Sequence, residues 1–519
     1  MVWWTLASSP SPWPTRCACS TGAPANFTAV APSVVPSCST TDCPTGQAFR
    51  CRHSSLAGSF GDFRQALDLA IAGNKSGSRL KAWHHQARND FPYGPEQQRL
   101  TNAATNGTGL SWYNCLRTSS RQRLESFAWL QQSDRQIPPS VTETDSKARQ
   151  LDRSARYALR WTATRTRSTT SADVAWLHDF IRFSSLVVDT SESQSGVVQV
   201  NLRHRRQAGR HAFSFASQWE KQQASTRETG LRHRTNGAIQ AGWQWHSPTR
   251  HLFAEAFLRH QWSDGNPLPF TGSLGTTFQG SPSWQLTTRL YRSFNLPTFN
   301  DLYWQDAFAR GNPDLKPEQG WGAEAGFSLG KTAESPGLEV RLYSMYISDW
   351  ILWAPTGTIW QPQNKRRVHA RGIELAGHLR WAAGKLHWKH RLEASFTRST
   401  VAAVYDESQS AQVGKQLIYT PLYSATLTSY CTWSKMTVGA IVRWTGRRYT
   451  TTDNDPAYAL PGYLLVHLQV SSRFRFLGQQ WEGHASLRNA LGTDYELIAA
   501  RPMPGRHVQL GLHWYWASE

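Results

Sequence analysis

The chain has 519 residues, only 39% of them apolar, and no run of eighteen apolar residues, which excludes transmembrane helices. Its formal charge of +20 comes mostly from arginine, but the basic residues are scattered and no nucleic-acid motif accompanies them, so nucleic acid is not an expected partner. The 25 tryptophans are the anomaly: an indole suits a place with one apolar and one wet side, such as a membrane interface or a carbohydrate-binding surface.

Five of the seven cysteines, Cys17, Cys19, Cys38, Cys43 and Cys51, fall in the first 51 residues, and Cys115 and Cys431 follow. The odd count and the lack of a Cys-x-x-Cys pair fit neither a disulfide framework nor a zinc site. "MVWWTLASSPSPWPTR" has two early prolines and no basic residue before Arg16, unlike a secretory signal. Residues 1–57 are therefore expected to be an irregular or non-native segment, read in a shifted frame or from a misplaced start, and 58–519 the folded body. Further on, His84 and His85 are adjacent, so a strand sends them to opposite faces and they make a poor metal pair.

From the middle of the chain, period-two alternation dominates. Ile239, Ala241, Trp243 and Trp245 alternate with Gln240, Gly242, Gln244 and His246. Leu386, Trp388, Leu392, Ala394 and Phe396 share one face, interrupted by His390, while His387, Lys389, Arg391, Glu393, Ser395 and Thr397 share the other. The last segment sets Val508, Leu510, Leu512, Trp514 and Trp516 against His507, Gln509, Gly511, His513 and Tyr515. One face of such a strand meets an apolar medium and the other a polar one.

These strands run to about ten residues or more, longer than the ~5–6 of globular strands and long enough to cross a bilayer when tilted. Aromatics often close their apolar faces, as an interfacial girdle requires. Connections alternate: "AAGK" and "SK" are short, whereas "APTGTIWQPQNKR", "VAAVYDESQSAQVGKQLIY" and "RRYTTTDNDPAYALPG" read as long loops. About ten strands fit between Trp284 and Trp516 and about twelve more upstream from Gly58, so the expected fold is all-β, a transmembrane antiparallel barrel of about 22 strands.

One stretch carries a more specific signal. "SFNLPTFNDLYW" followed by "GNPDLKPEQ" resembles the mid-barrel signature of TonB-dependent outer-membrane receptors. "NKRRVHARGIELAG" from Asn364 resembles a later strand of that family, and "LRNALGTDYELIAARPMPGRHVQLGL" from Leu487 its closing hairpin, with Asn489, Tyr495, Pro502, Pro504, Gly505 and Arg506 in place. "NDFPY" at Asn89 and "IPPSVTETDSKARQLD" at Ile137 resemble early barrel loops of its cobalamin-receptor-like branch. The resemblance implies a monomeric barrel in the bacterial outer membrane, closed by an N-terminal plug. It implies uptake of cobalamin, iron-siderophore, haem or a similar scarce ligand, driven by an inner-membrane TonB complex, with outer-membrane lipid and lipopolysaccharide around the wall. Residues 1–57 contain neither a TonB box nor the plug's glycine-rich strand pattern, so the expectation is a receptor barrel without an intact plug, truncated and transport-deficient.

Exposed aromatics on an ordered outer loop form a ligand platform. Tyr303, Trp304 and Phe308, with Trp353 and Trp360 on the neighbouring loop, are the candidate ligand-binding residues. Pro297, Pro313, Asn300, Asp301 and Asp314 read as turn formers that order the loop. Arg203, Arg391, Lys389, Glu393 and His387 read as a solvated lumen wall, with attraction of anionic ligands or lipopolysaccharide phosphates as the functional alternative. No Gly-x-Ser-x-Gly, Walker or zincin motif occurs, so no enzyme activity, cofactor or metal is expected. The alternative from another class is a secreted soluble all-β glycan-binding protein with a Trp-rich surface.

Overall fold

The computed structural model of the protein describes residues 48–517 apart from 142–145, 187–189, 307–308, 331–335 and 357–358. Peptide groups inside a bilayer have no water to bond, so a sheet that crosses one must close on itself. The chain does this with a closed antiparallel barrel of 22 strands. The first strand, Ala48–Gly58, pairs with the last, His507–Ala517, from Arg50↔Ala517 to Gly58↔Gln509. The barrel thus begins upstream of the boundary expected at Gly58. The outer face of this strand carries His53 and Ser55 as well as Phe49, Cys51 and Ala57, so its alternation is faint, and two neighbouring strands supply the order. Cys17, Cys19, Cys38 and Cys43 lie outside the described residues.

Polarity is arranged inside out. Val508, Leu510 and Leu512 are 49%, 61% and 41% exposed on the outer wall. Leu130, Val200, Leu258, Leu274, Leu290, Ile373 and Leu427 are exposed with them, around the circumference. Asp173, Asn201, Glu220, Glu255 and His513 are buried instead. A water-soluble domain rarely exposes a contiguous apolar patch of more than a few hundred Å², and this one encircles the molecule. The soluble glycan-binding alternative is therefore not favoured: exposed tryptophans such as Trp321, Trp381 and Trp444 border a continuous apolar wall. Trp381 and Trp388 stack at 5.4 Å at one end of that wall, and Trp321, Tyr346, Tyr423 and Trp444 are exposed towards the other.

At one end, adjacent strands are joined by tight turns such as 120–121, 209–210, 384–385, 434–435 and 477–478. The other end carries 88–104, 137–148, 296–317, 405–422, 446–462 and 489–506. The segregation is not strict, because 59–62 and 227–229 are short yet lie at the long-loop end. "APTGTIWQPQNKR" is a further correction. Strands Gly337–Thr356 and Ile359–Ala383 pair through it as far as Thr356↔Ile359, so it is a tall hairpin and not an irregular loop. Its polar composition hid a strand whose backbone groups are satisfied by each other, with a bulge between Ile347 and Trp350 where Asp349 adopts φ 57°.

Candidate functional site

The long-loop end is organised by the segment 296–317. Its prolines and Asx residues favour turns, and a single helical turn forms at Phe299–Tyr303. Thr298 caps it: its Oγ1 accepts from Asp301 N at 3.1 Å, and Asp301 Oδ2 accepts from Thr298 N at 2.9 Å. This reciprocal box satisfies donors that the helix start leaves open. The other oxygen of the buried Asp301 accepts the indole N–H of Trp353 at 2.9 Å, fastening the loop to the tall hairpin.

The rest of the segment is tied down in the same way. Gly311 N donates to Trp304 O at 2.7 Å, Asn312 N to Asp301 O at 2.7 Å, and Arg310 N to Trp360 O at 2.9 Å. Asn364 Oδ1 accepts from Lys316 N at 2.8 Å. Gly311 is required by space: a Cβ there would lie 2.6 Å from Tyr303 N and 2.7 Å from Leu302 C. Gln305 N donates to Glu228 O at 3.0 Å, which joins the loop to the short connection 227–229.

The structure gathers Tyr303, Trp304, Trp353 and Trp360 around this segment; Phe308 lies outside the described residues. Trp353 and Trp360 are strand residues of the tall hairpin, not loop residues. Three of the four rings are already engaged. Tyr303 lies under the Arg232 guanidinium at 4.2 Å, Trp304 Nε1 donates to Asp306 at 2.8 Å, and Trp353 holds Asp301. Trp360 is 42% exposed.

Beneath the loop, a cavity of about 310 Å³ opens on the inner wall. Gln218, Glu220, Arg234, Asn236, Arg259 and Phe299 line it, and none of Tyr303, Trp304, Trp353 and Trp360, the described aromatics expected as ligand contacts, does. Arg234 spans from the ring of Phe299, 4.8 Å away, to Pro297 O at 2.9 Å. Arg259 donates to Gln218 Oε1 at 2.8 Å, while its Nε and the Oδ1 of Asn236 are buried without a hydrogen bond among the described residues. Such orphaned groups cost roughly 1–3 kcal/mol each and are ready to meet a polar ligand. Sequence reading missed this set. Its only signal is a polar alternation over neighbouring strands, and nothing local says that those strands converge below a loop 63 residues away.

The other expected wall residues lie on inward faces. Arg203 donates to the buried Asp173 at 3.2 Å, and Arg391 Nε pairs with Glu393 at 2.8 Å. His387 and Lys389 are exposed towards the lumen. His84 and His85 do point apart, and His85 lies 3.2 Å from Asp62. Among the described residues no group of three or more His, Cys, Asp or Glu could hold a metal ion.

Comparison with known proteins agrees with the architecture. A family model described as TonB dependent receptor-like, beta-barrel matches residues 53–490. The Vitamin B12 transporter BtuB of Vibrio vulnificus (strain YJ016) is 27% identical over 204 residues, covering 39% of this chain and 29% of that protein. BtuB of Photobacterium profundum is 34% identical over 110 residues, covering 20% and 17%. The matched segments thus span less than a third of these relatives. Among solved structures, the copper transporter OprC superposes with a TM-score of 0.76 at 12% identity, covering 91% of this chain and 82% of that one. The siderophore receptor PiuA from Acinetobacter baumannii gives 0.73 at 13% identity, with the same coverage. Identities this low establish a shared fold alone.

Proposed function

The chain belongs to the TonB-dependent receptor-like β-barrel family, whose members sit in the bacterial outer membrane, and from that premise we propose that it captures a scarce ligand of the cobalamin or iron-siderophore class at its long-loop end. The observation that carries this reading is the cavity under the 296–317 segment, with Arg259 Nε and Asn236 Oδ1 unpartnered and Arg234 and Glu220 beside them. A cobalamin or a ferric chelate presents carboxylate, phosphate or amide oxygens to the Arg259 and Arg234 donors, amide N–H groups to the Asn236 and Glu220 acceptors, and apolar rims to aromatic rings. The BtuB relatives favour cobalamin within this class. Tyr303, Trp304, Trp353 and Trp360 would form the rim of the site, with Trp360 the most open of the four to a ligand. Energised passage would draw on a TonB complex at the tight-turn end.

The test is binding by the purified barrel in detergent, followed by quenching of tryptophan fluorescence. Cyanocobalamin or a ferric siderophore should bind saturably, and Arg259→Ala should weaken that binding about 10-fold or more, the loss expected for one charge-assisted hydrogen bond. Absence of saturable quenching by either class defeats the proposal.

A further inference from the structure

The tight turns share a chemistry that the long loops lack. Lys75, Arg121, Arg167, Arg210 and Arg250 sit in the five consecutive turns 73–75, 120–121, 166–167, 209–210 and 247–251. Lys385 and Lys435 sit in 384–385 and 434–435. Nine turns at this end are described in full, so seven of the nine carry a cation, and none contains Asp or Glu. All seven residues are exposed, and none has an ion-pair partner among the described residues. Carboxylates a few residues into the strands, Glu125, Glu339 and Glu482, are already engaged by Arg123, Arg341 and Arg473. At the other end, 88–104, 296–317, 405–422, 446–462 and 489–506 each hold at least two carboxylates. Uncompensated positive charge therefore collects at the tight-turn rim, the periplasmic side of such a barrel.

The backbone fixes where these charges stand. Lys75 O accepts from Arg117 N at 2.7 Å, Arg121 O from Thr164 N at 2.8 Å, Arg167 O from Gln207 N at 2.7 Å and Arg210 O from His246 N at 3.0 Å. Each bond runs from one hairpin to the next, so the ladder continues into the turns. With strands ~4.8 Å apart and tilted by ~40°, successive hairpins place a cation every ~12 Å along the rim. Lys385 comes four positions after Trp381, whose exposed indole marks the edge of the apolar wall. Four residues of tilted strand carry it ~10 Å further out. That clears an interfacial layer of ~5–8 Å, so the rim stands in water.

The spacing and the composition define the partner. Cations ~12 Å apart on fixed backbone do not converge on one small anion. The nine turns contain no Phe, Tyr or Trp, so they lack both the anchors of a tight protein interface and the platforms on which bases stack. An extended polyanion whose carboxylates recur along its length fits both features. We propose that this rim docks on the cell-wall glycan of the periplasm, whose peptide branches carry such carboxylates. The contact lies at the opposite end of the barrel from the ligand cavity, and a failure of ligand binding leaves it untouched.

The experiment incubates the purified full chain in detergent micelles with insoluble cell-wall sacculi and measures the fraction that sediments. Wild-type protein should sediment saturably at ~0.1 M salt and be released at ~1 M, where the screening length falls to ~3 Å. Sacculi with amidated carboxylates should bind it about 10-fold more weakly, or worse. The triple variant R121Q/R167Q/R210Q should show the same loss on untreated sacculi. R88Q/R227Q/R447Q, an equal change of charge at the long-loop end, should bind like the parent. Micellar phosphatidylglycerol at matched anion concentration should not displace the protein. Wild-type protein that fails to sediment, holds on at high salt or binds amidated sacculi equally well overturns the proposal without recourse to any variant. Undiminished binding by the first triple variant, an equal loss in both, or displacement by the phospholipid overturns it as well. Heat-modifiable gel mobility verifies that each variant is a folded barrel.

Discussion

The indole N–H of Trp353 donates to Asp301 Oδ1 across 2.9 Å, joining residues from the tall hairpin and from the capped turn that crosses toward it. The same carboxylate caps its own helical turn through Thr298, so one buried aspartate both shapes the loop and moors it. A rigid mooring lowers the entropy lost when a ligand settles on the loop.

Replacing Asp301 by Ala removes the cap and the bond from Trp353. The two losses together amount to roughly 2–3 kcal/mol, felt locally. Limited proteolysis within 296–317 should accelerate more than 10-fold, while the barrel's heat-modifiable gel shift stays intact. Unchanged proteolysis means the mooring is not what orders the loop.

Trp360→Ala removes an exposed ring with no side-chain tie described for it. Thermal unfolding should move by little, within the ~0.5 kcal/mol typical of surface changes. Binding of cyanocobalamin or a ferric siderophore should weaken several-fold. A variant that binds as tightly as the parent removes Trp360 from the rim.

Asp62 lies in the connection 59–62 beside the closing seam. Burial alone would raise its pKa, but hydrogen bonds from His85 and Arg64, the Arg64 charge and a bond from Gln509 outweigh it and hold the carboxyl at about 2. The unfolded value is ~3.9, so the folded pKa is depressed, and its contribution to stability is complete above about pH 4. That contribution should drain away as pH falls towards 2. Urea unfolding measured from pH 5 to pH 2 should show a decline that Asp62→Asn flattens. A parallel decline in both proteins removes Asp62 as its cause.

Leu512 sits midway along the closing strand and faces outward. Arginine there would meet hydrocarbon near the centre of the bilayer and cost ~2–4 kcal/mol. Folding into lipid vesicles, followed by gel mobility, should show that loss for Leu512→Arg. A neutral result contradicts a lipid-facing wall.

Strand periodicity is a local property, because side chains leave a pleated backbone on alternate sides whatever the rest of the chain does. Leu510 against Gln509 and Leu392 against Arg391 could therefore be placed on opposite faces from the order of residues alone, and the strand count followed from their spacing. The same reading could place Trp353 and Asp301 near the outer end. It could not join them, since across their separation of 52 positions the chain had first to form a strand, a turn and a bulge. The tall hairpin was misread as a loop because backbone pairing there outweighs a polar composition.

The sequence by itself determined an all-β wall with one greasy and one wet face, because alternation writes that chemistry residue by residue. Only the tertiary structure decided where the cylinder closes, which arginines gather at the Arg259 cavity, and that Asp301 meets Trp353. Those depend on strand register and curvature, which are set by the summed pairing of the whole sheet and not by any one segment.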